Sequence, residues 1–283
     1  MVGDKKNYGV IAFKTVLVLL LAFFFLLPLW LVFTSAFTKE TAWSGYSMWV
    51  PQFSLDAFVY VFNDSDVMRA LLNTVLVSVS TVVLSMAVNT LTAYVLHRKD
   101  MPGHKALNLL FVITMFFSAG MIPTFLVINA VGLYDTIWAL ILPPVLSVYN
   151  VLLIRNYFYS VPASLSEAAQ IDGASHMRVL LTVLVPVAKP VIITTALISF
   201  VTKWNSWMDV LLYLGPNSRH LWTVQYVVRQ MLENFNSYSS DPNAPVNTLK
   251  NATIVVTILP LIVLFPIFQK YFANGITLGS VKG

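Results

Sequence analysis

The chain has 283 residues, of which 58% are hydrophobic and 10% are charged, and its mean hydropathy is +0.76. A soluble domain of this length needs a much smaller apolar share, so the composition predicts an integral membrane protein. Cysteine is absent, which excludes disulfides, thiolate metal sites and thiol nucleophiles. The net charge of +5 does not indicate nucleic-acid binding, because the basic residues form short clusters between apolar runs.

Six segments with few or no charges are long enough to cross a bilayer core, which takes about 20 helical residues. They are Thr15 to Thr38, Ala70 to Leu96, Ala106 to Tyr134, Thr136 to Ile154, Pro190 to Leu214 and Asn251 to Gln269. The first segment could also be a signal peptide, but its apolar core is longer than is usual for one, so an uncleaved span is the better interpretation.

Prolines inside these segments predict kinked or broken helices, because each proline leaves a backbone carbonyl that neighbouring groups must satisfy. Any one of them could equally do no more than shape helix packing. The prolines concerned are Pro28, Pro123, Pro143, Pro144, Pro260 and Pro266.

The distribution of lysine and arginine predicts the orientation, because short loops rich in these residues stay in the cytoplasm. With both termini inside, the inner segments hold 11 of the 17 basic residues. These 11 are Lys5, Lys6, Lys14, Arg98, Lys99, Lys105, Arg155, Arg178, Lys189, Lys270 and Lys282. This topology predicts a cytoplasmic amino terminus over residues 1–14 and a membrane domain over 15–283. Within that domain it predicts a cytoplasmic loop at about 160–190 and an outer loop at about 215–250, in which 234–247 is polar.

The cytoplasmic loop is predicted to form a short helix, a turn and a second helix. Ser164 and Glu167 have the spacing of a capping box at a helix start. Gly173 can adopt the positive φ that ends a helix. An apolar helical pattern resumes over His176 to Val185 and is expected to stop before the fifth span at two prolines, Pro186 and Pro190. A rigid helical pair of this kind is suited to docking into a groove of a soluble partner.

The loop also carries a resemblance to a known family. Glu167-Ala-Ala-Gln-Ile-Asp-Gly-Ala174, followed by Val183-Leu-Val-Pro186 and Lys189-Pro190, resembles the EAA loop of binding-protein-dependent ABC importer permeases. Val183 and Val185 replace the usual Ile and Leu but keep the apolar character. The resemblance extends to the tail from Gln269 to Gly283, which is similar to that of carbohydrate-type permeases such as the maltose-type G subunit. The run Ser118-Ala-Gly-Met-Ile-Pro123 resembles the LplC-like branch.

The resemblance implies an all-α integral membrane fold, with six transmembrane helices of the type I ABC importer permease and a cytoplasmic coupling helix. In that family the coupling helix sits in a groove of the ATPase. The implied ATPase-coupling residues of this chain are Glu167, Ala168, Ala169, Asp172, Gly173 and Ala174. Of these, Gly173 would form the turn and Asp172 would reinforce it. The plainer interpretation, that Glu167 only caps a helix and Gly173 only ends it, is compatible with docking.

The resemblance also implies the partners. The chain has no G-x-x-x-x-G-K-[ST] phosphate loop, so the ATPase must be a separate polypeptide and this chain is not expected to be an enzyme. The implied partners are a second homologous permease subunit, two cytoplasmic ABC ATPase subunits, an extracytoplasmic solute-binding protein, membrane lipid and a carbohydrate substrate. The substrate is expected to be an oligosaccharide from a plant or algal polysaccharide, imported across a bacterial inner or plasma membrane. No cofactor, metal or nucleic acid is expected in this chain, because ATP and Mg²⁺ would be bound by the ATPase.

Polar residues in the fifth segment are candidates for contact with the substrate, because polar groups at membrane depth usually face a partner or a wet cavity. They are Lys203, Trp204, Asn205, Trp207 and Asp209. Aromatic rings suit the apolar faces of sugars, and Asn and Asp can hydrogen-bond hydroxyls. Alternatively, the tryptophans are interfacial anchors and Lys203 pairs with Asp209 to stabilise a helix break. Asn73 and Asn89 in the second segment are expected to serve helix packing.

Two rival functions remain open at this point. A secondary transporter or channel subunit driven by an ion gradient would also contain polar breaks in apolar helices, but it would not need the Glu-Ala-Ala loop. A membrane enzyme is less well supported, because the four histidines lack metal-ligand spacing and no G-x-S-x-G motif occurs.

Overall fold

The computed structural model describes residues 8–117, 119–233 and 245–275, with side chains described no further than Pro266. The described residues are helical apart from their connections and one isolated β-bridge between Thr38 and Phe53. This confirms the all-α prediction. The α-helices are α1 Tyr8–Ala36, α2 Asp56–Asn63, α3 Ser65–His97, α4 His104–Phe116, α5 Met121–Ala130, α6 Trp138–Ile141, α7 Val148–Ser160, α8 Ala163–Ile171, α9 His176–Val179, α10 Val185–Val187, α11 Lys189–Trp204, α12 Met208–Tyr213, α13 Val224–Glu233 and α14 Val246–Gly275. A π-helical turn, Leu180–Leu184, joins α9 to α10, and two 3₁₀ turns cover Glu40–Ala42 and Arg219–Leu221.

Among the described residues, three helices are long and apolar enough to cross a membrane without interruption. They are Gly9–Ala36, Ser65–His97 and Val246–Pro266. Two bent pairs, α4 with α5 and His176–Val187 with α11, raise the count of candidate spans among the described residues to five if each pair is one span. The structure therefore confirms a multi-pass membrane protein.

The first span shows most directly that this chain needs an apolar environment. None of the residues in its most apolar window is buried within the chain. Phe13, Phe24 and Phe25 are 70%, 69% and 74% exposed. A helix that is apolar on every side and exposed on every side is stable only against lipid or another chain.

The fourth predicted segment differs from an uninterrupted span. It contains α6, a break that includes Pro143 and Pro144, and then α7. With 13 residues, α7 is about 20 Å long, which is short of the roughly 30 Å hydrocarbon core. The expected break at prolines is confirmed here, whereas Pro28, Pro260 and Pro266 lie inside continuous helices.

The helical path breaks between the two prolines that precede the fifth span, as the sequence predicts, although Pro186 itself lies inside α10. The helical path from His176 ends at Val187, and α11 starts at Lys189 with Pro190 in its first turn, where a missing N–H costs nothing. The two helical stretches meet at 81°. The chain thus turns at Ala188, between the predicted cytoplasmic loop and the predicted fifth span.

Two compact units make up the chain, residues 1–68 with 230–259 and residues 69–229 with 260–283. The second unit contains every predicted site residue. Among the described residues of this unit, one apolar cluster anchors the segment that follows α7, since residues of α3 and α7 pack there against the π-helical turn that follows α9. The central members are Ala93, Leu96, Val151, Ile154, Phe158, Leu180 and Leu184. The other cluster joins α5, α6 and α12, with Ile128, Leu140, Ile141, Val210 and Tyr213 among its members.

Candidate functional site

The loop that the sequence predicts to be cytoplasmic folds into α8 and a tight turn. Ala174 N–H donates to the Ala169 carbonyl at 2.9 Å, and Gly173 N–H donates to the Gln170 carbonyl at 3.0 Å. These are the two bonds of a Schellman motif, which requires positive φ at the residue after the helix cap. Gly173 has φ +84°, so its predicted role at the end of the helix is confirmed. Asp172 takes part through its backbone N–H, which donates to the Ala168 carbonyl.

The predicted capping box is wrong. The helix begins at Ala163, one residue before Ser164, and Pro162 occupies the cap position without a side-chain hydrogen bond. Ser164 therefore lies inside the first turn and cannot act as the cap. Consequently Glu167 is not held by a reciprocal capping bond, and its side chain is exposed. The cap that does form in this loop is Ser175, whose side chain accepts from the Arg178 N–H at the start of α9.

The exposed surface of α8 and the following turn is partly apolar. Ile171 is 86% exposed, and Leu165 and Met177 are about half exposed. Sequence reasoning concentrated on the Glu-Ala-Ala run and missed these three residues, although their large apolar side chains in a polar loop are a readable signal. This surface thus carries both the acidic Glu167 and exposed apolar side chains.

Behind α8 is a cavity of about 600 Å³. Glu167 and Gln170 line one side of it, and the segment from His97 to Asp100 lines another. Arg98 and Asp100 form an ion pair at 2.5 Å, and the hydrogen bond from Arg98 lowers the pKa of the Asp100 carboxyl. Glu167 therefore borders charged groups of its own chain as well as solvent.

In the fifth segment, the helix breaks where the polar residues cluster. α11 ends at Trp204 and α12 begins at Met208. Lys203 Nζ lies 2.6 Å from Asp209 Oδ2, and the Ser206 hydroxyl donates to the same oxygen at 2.7 Å. This is the arrangement of the alternative interpretation, in which Lys203 pairs with Asp209 across a helix break. The side chain of Lys203 is only 5% exposed, so the ammonium depends on this partner.

The ion pair lines a second cavity, of about 530 Å³, within the second unit. Its wall comes from α3, from the break before α7, from the start of α7, from the end of α11, and from the break after α11 with the start of α12. The polar residues in the wall are Thr81, Ser147, Tyr149, Asn150, Ser199, Thr202, Lys203, Ser206 and Asp209. Irregular backbone at membrane depth is tolerated where it is buried in protein or borders a wet cavity. We name this the mid-chain cavity.

The mid-chain cavity includes two of the five substrate-path candidates. Lys203 and Asp209 line it, whereas the other three do not. Trp204 is 1% exposed and stacks on Phe200, with ring centroids 5.5 Å apart. The Arg229 guanidinium stands 3.5 Å from the centre of the Trp207 ring, and the Asn205 amide donates to the Val201 carbonyl. Thr81 and Asn150 were missed because nothing local in the sequence distinguishes them from ordinary polar residues in helices.

Asn73 and Asn89 serve helix packing, as the sequence predicts. The Asn73 amide donates to the backbone carbonyls of His220 and Trp222 at 2.8 and 3.0 Å. Asn89 donates to the Ser85 hydroxyl and accepts from the Ser147 N–H at the break before α7. Both asparagines therefore satisfy groups in the irregular segments beside the helices.

A second feature that the sequence did not reveal is a junction at Asp135. This residue adopts φ +61°, its N–H donates to the Tyr213 carbonyl at 2.8 Å, and its carboxylate accepts from Ser218 Oγ and from the Gly215 N–H. The bond from Ser218, followed by that from Gly215, lowers the pKa of the Asp135 carboxyl. Asp135 thereby joins the turn after α5 to the end of α12.

Within the described ranges, no group of three or more His, Asp or Glu side chains is placed to hold a metal ion.

Comparison with known proteins identifies relatives over almost the whole chain. The family described as "Binding-protein-dependent transport system inner membrane component" matches residues 9–278. The chain is 38% identical to the polygalacturonan/rhamnogalacturonan transport system permease protein YtcP of Bacillus subtilis, over 94% of this chain and 95% of that protein. It is 35% identical to protein LplC of the same organism, over 91% and 90% of the two chains. The expected resemblance to the LplC-like branch is therefore confirmed.

A solved structure shares the fold. A chain of a bacterial ABC transporter that imports the acidic polysaccharide alginate superimposes with a TM-score of 0.84 at 28% identity. The match covers 96% of this chain and 99% of the other.

Proposed function

The chain belongs to the family of binding-protein-dependent transport system inner membrane components, and on that premise we propose that it is one permease subunit of an ATP-binding-cassette importer for a carbohydrate. The substrate is an oligosaccharide released from a plant or algal polysaccharide and delivered by a solute-binding protein. The observation that carries this proposal is the near-full-length similarity to YtcP, a permease named for polygalacturonan and rhamnogalacturonan transport.

The proposed importer needs subunits that this chain does not supply. A second homologous permease completes the membrane path, and two cytoplasmic ATPases bind ATP and Mg²⁺ and hydrolyse the nucleotide. This chain contributes no enzymatic step. Both of its termini lie in the cytoplasm, which places α8 on the side of the ATPases and agrees with the bias of lysine and arginine.

The surface of α8 supports its proposed docking to an ATPase. Ile171 projects into solvent beside a turn that Gly173 closes, so the chain holds this side chain in place before the partner arrives. Burying one such side chain is worth about 1.5–3 kcal/mol. Glu167 adds a charge that can pair with a basic group on the partner. Together with Ala168 and Ala169, which are small enough for close approach, these residues form the proposed ATPase contact.

The test is a charge reversal on α8. We expect Glu167→Lys to abolish most substrate-stimulated ATP hydrolysis and uptake by the complete complex in proteoliposomes, because it places a like charge against the partner's basic group. Lys105→Glu is the matched control, since it reverses an exposed charge at the start of α4 rather than on α8. Co-purification of the ATPase with each variant separates lost docking from lost coupling. Normal uptake in Glu167→Lys would show that α8 is not the coupling element.

A further inference from the structure

A group of basic side chains surrounds the ring of Tyr159, near the end of α7. The Lys99 ammonium lies 5.5 Å from the centre of this ring, and the Arg155 guanidinium lies 5.7 Å from it. His104 Nε2 lies 3.3 Å from the Tyr159 hydroxyl. The connection after α3, the start of α4 and the end of α7 thus bring basic groups to one ring. We name Lys99, His104, Arg155 and Tyr159 the basic cluster.

Hydrogen bonds hold most of the basic cluster in place. The Leu96 carbonyl, in the last turn of α3, accepts from the Tyr159 hydroxyl at 3.1 Å and lies 3.0 Å from His104 Nε2. The Arg155 guanidinium donates to the side-chain oxygen of Asn108, which lies one turn into α4. Because these groups are held in position before a ligand arrives, less conformational entropy is lost when the ligand binds.

The positive charge of the basic cluster lacks a counter-charge within the described part of the chain. Arg98 and Asp100 lie beside it in the sequence, but they pair with each other at 2.5 Å. No described carboxylate is within ion-pair distance of Lys99 or Arg155. Glu167 lines the same cavity as Lys99 and likewise forms no ion pair with a described residue. Like charges that gather without a counter-ion repel one another, so the basic cluster favours an anionic ligand.

An apolar surface starts at the basic cluster and continues along α4. Residues 106–134 contain no charged side chain. One side of α4 packs onto α7, where Phe111 joins the apolar cluster around Ile154. The opposite side is open, since Leu109 and Phe116, two turns apart on one helix face, are 60% and 75% exposed. Basic groups at the end of an exposed apolar helix match a ligand that joins a negative charge to a hydrocarbon chain.

We propose that the basic cluster and the open side of α4 form a binding site for one anionic phospholipid. Lys99 and Arg155 attract the headgroup, and the acyl chains lie along the helix face that carries Leu109 and Phe116. The inference goes beyond the proposed function and rests on its topology, in which α4 starts at the cytoplasmic surface of the membrane. Free phosphate shares the chemistry of the headgroup, but it would leave the apolar side of α4 uncovered.

The experiment labels this site with a photoactivatable lipid. The complete complex is placed in phosphatidylcholine vesicles that contain a small fraction of lipid with a diazirine near the carbonyl end of one acyl chain. This lipid is either phosphatidylglycerol, which is anionic, or phosphatidylcholine, which has a phosphate but no net charge. Mass spectrometry of peptides then measures the lipid attached to α4. We expect phosphatidylglycerol to label α4 about 5- to 25-fold more than phosphatidylcholine, since each cation contributes a factor of about 5.

Three variants of the chain locate the effect. Lys99→Gln removes an exposed charge and should lower labelling of α4 by phosphatidylglycerol about 5-fold. Lys99→Arg keeps the charge and should match the wild type. Lys14→Gln is the matched control, because it removes another exposed lysine on the predicted cytoplasmic side but in the other compact unit. It should also match the wild type. Thermal unfolding of each complex checks that the fold is retained.

Four results would overturn the inference. Equal labelling of α4 by the two lipids would show that charge does not select the ligand. Equal labelling of the wild type and Lys99→Gln would show that the basic cluster is not the site. A complete lack of lipid on α4 would show that another subunit covers its open side. Loss of labelling in excess inorganic phosphate would show that the site takes a free anion.

These four results leave the proposed function intact, because none of them measures transport. The proposed function fails instead if the same wild-type complex, supplied with ATP and the binding protein, takes up no oligosaccharide. The labelling pattern in that case still shows whether α4 binds an anionic phospholipid.

Discussion

Replacing Asp209 by asparagine should destabilise the protein by about 3 kcal/mol, near the lower end of the cost of breaking a buried ion pair. The two charged atoms are 2.6 Å apart, which corresponds to about 6 kcal/mol of gross attraction at an effective dielectric constant of about 20. Part of this attraction offsets the free-energy cost of removing the two ions from water. Asp209 is 30% exposed but Lys203 only 5%, so the variant leaves a nearly inaccessible ammonium without its counter-charge. We therefore expect the unfolding midpoint of the purified complex to fall by about 5–10 °C.

A double-mutant cycle isolates the pair from the other contacts of each residue. Lys203→Met keeps an unbranched stem of similar length and should cost less than Asp209→Asn, because Asp209 retains Ser206 and some solvent. The double variant removes both charges, so its free energy of unfolding should lie within about 1 kcal/mol of that of the wild type. Thermal unfolding, followed by tryptophan fluorescence in one detergent, measures all four proteins. If the double variant lost the sum of the two single losses, the two residues would not be coupled and the account of the helix break would be wrong.

Two further predictions concern carboxylates outside the spans. Asp135→Asn should lower the free energy of unfolding at pH 7. The gap in this free energy between variant and wild type should shrink as pH falls below about 4. The reason is that the hydrogen bond from Ser218 lowers the folded-state pKa of Asp135, so the stability that the carboxylate contributes is lost when it is protonated. Urea unfolding at several pH values measures this, and a difference independent of pH would contradict it. Glu40→Ala should cost about 1–2 kcal/mol, because the Glu40 carboxylate accepts from the backbone N–H and side chain of both Asn247 and Thr248 at the start of α14. Hydrogen exchange of the first turn of α14 should then be faster, and unchanged exchange would contradict the capping role.

The sequence predicted most of the helices because long apolar runs leave a segment few alternatives. The breaks in the helices could also be predicted in part, since Pro143, Pro144 and Pro190 lie at or beside them. The start of α8 was not readable, because Ser164 and Glu167 fit a capping box in the linear sequence while the helix begins one residue earlier. Pro162 favours that earlier start, since its fixed φ suits the residue that leads into a helix.

The cavity could be predicted only in part. Lys203 and Asp209 were visible because charge inside an apolar segment is rare. Thr81 and Asn150 were not, because a polar residue in a helix becomes informative only when its partners are known. Thr81 differs from Thr74 in hydrogen bonding, not in residue type or local pattern. The junction at Asp135 was hidden for another reason, since it joins segments about 80 residues apart in the chain.

The central claim, that this chain moves an oligosaccharide inward with energy from ATP, is tested most directly by uptake of a labelled oligosaccharide into proteoliposomes that contain the complete complex. We expect uptake only when ATP is present on the side of the ATPases and the binding protein is present on the opposite side. Uptake that proceeds without ATP, and that follows an imposed proton or sodium gradient, would contradict the account.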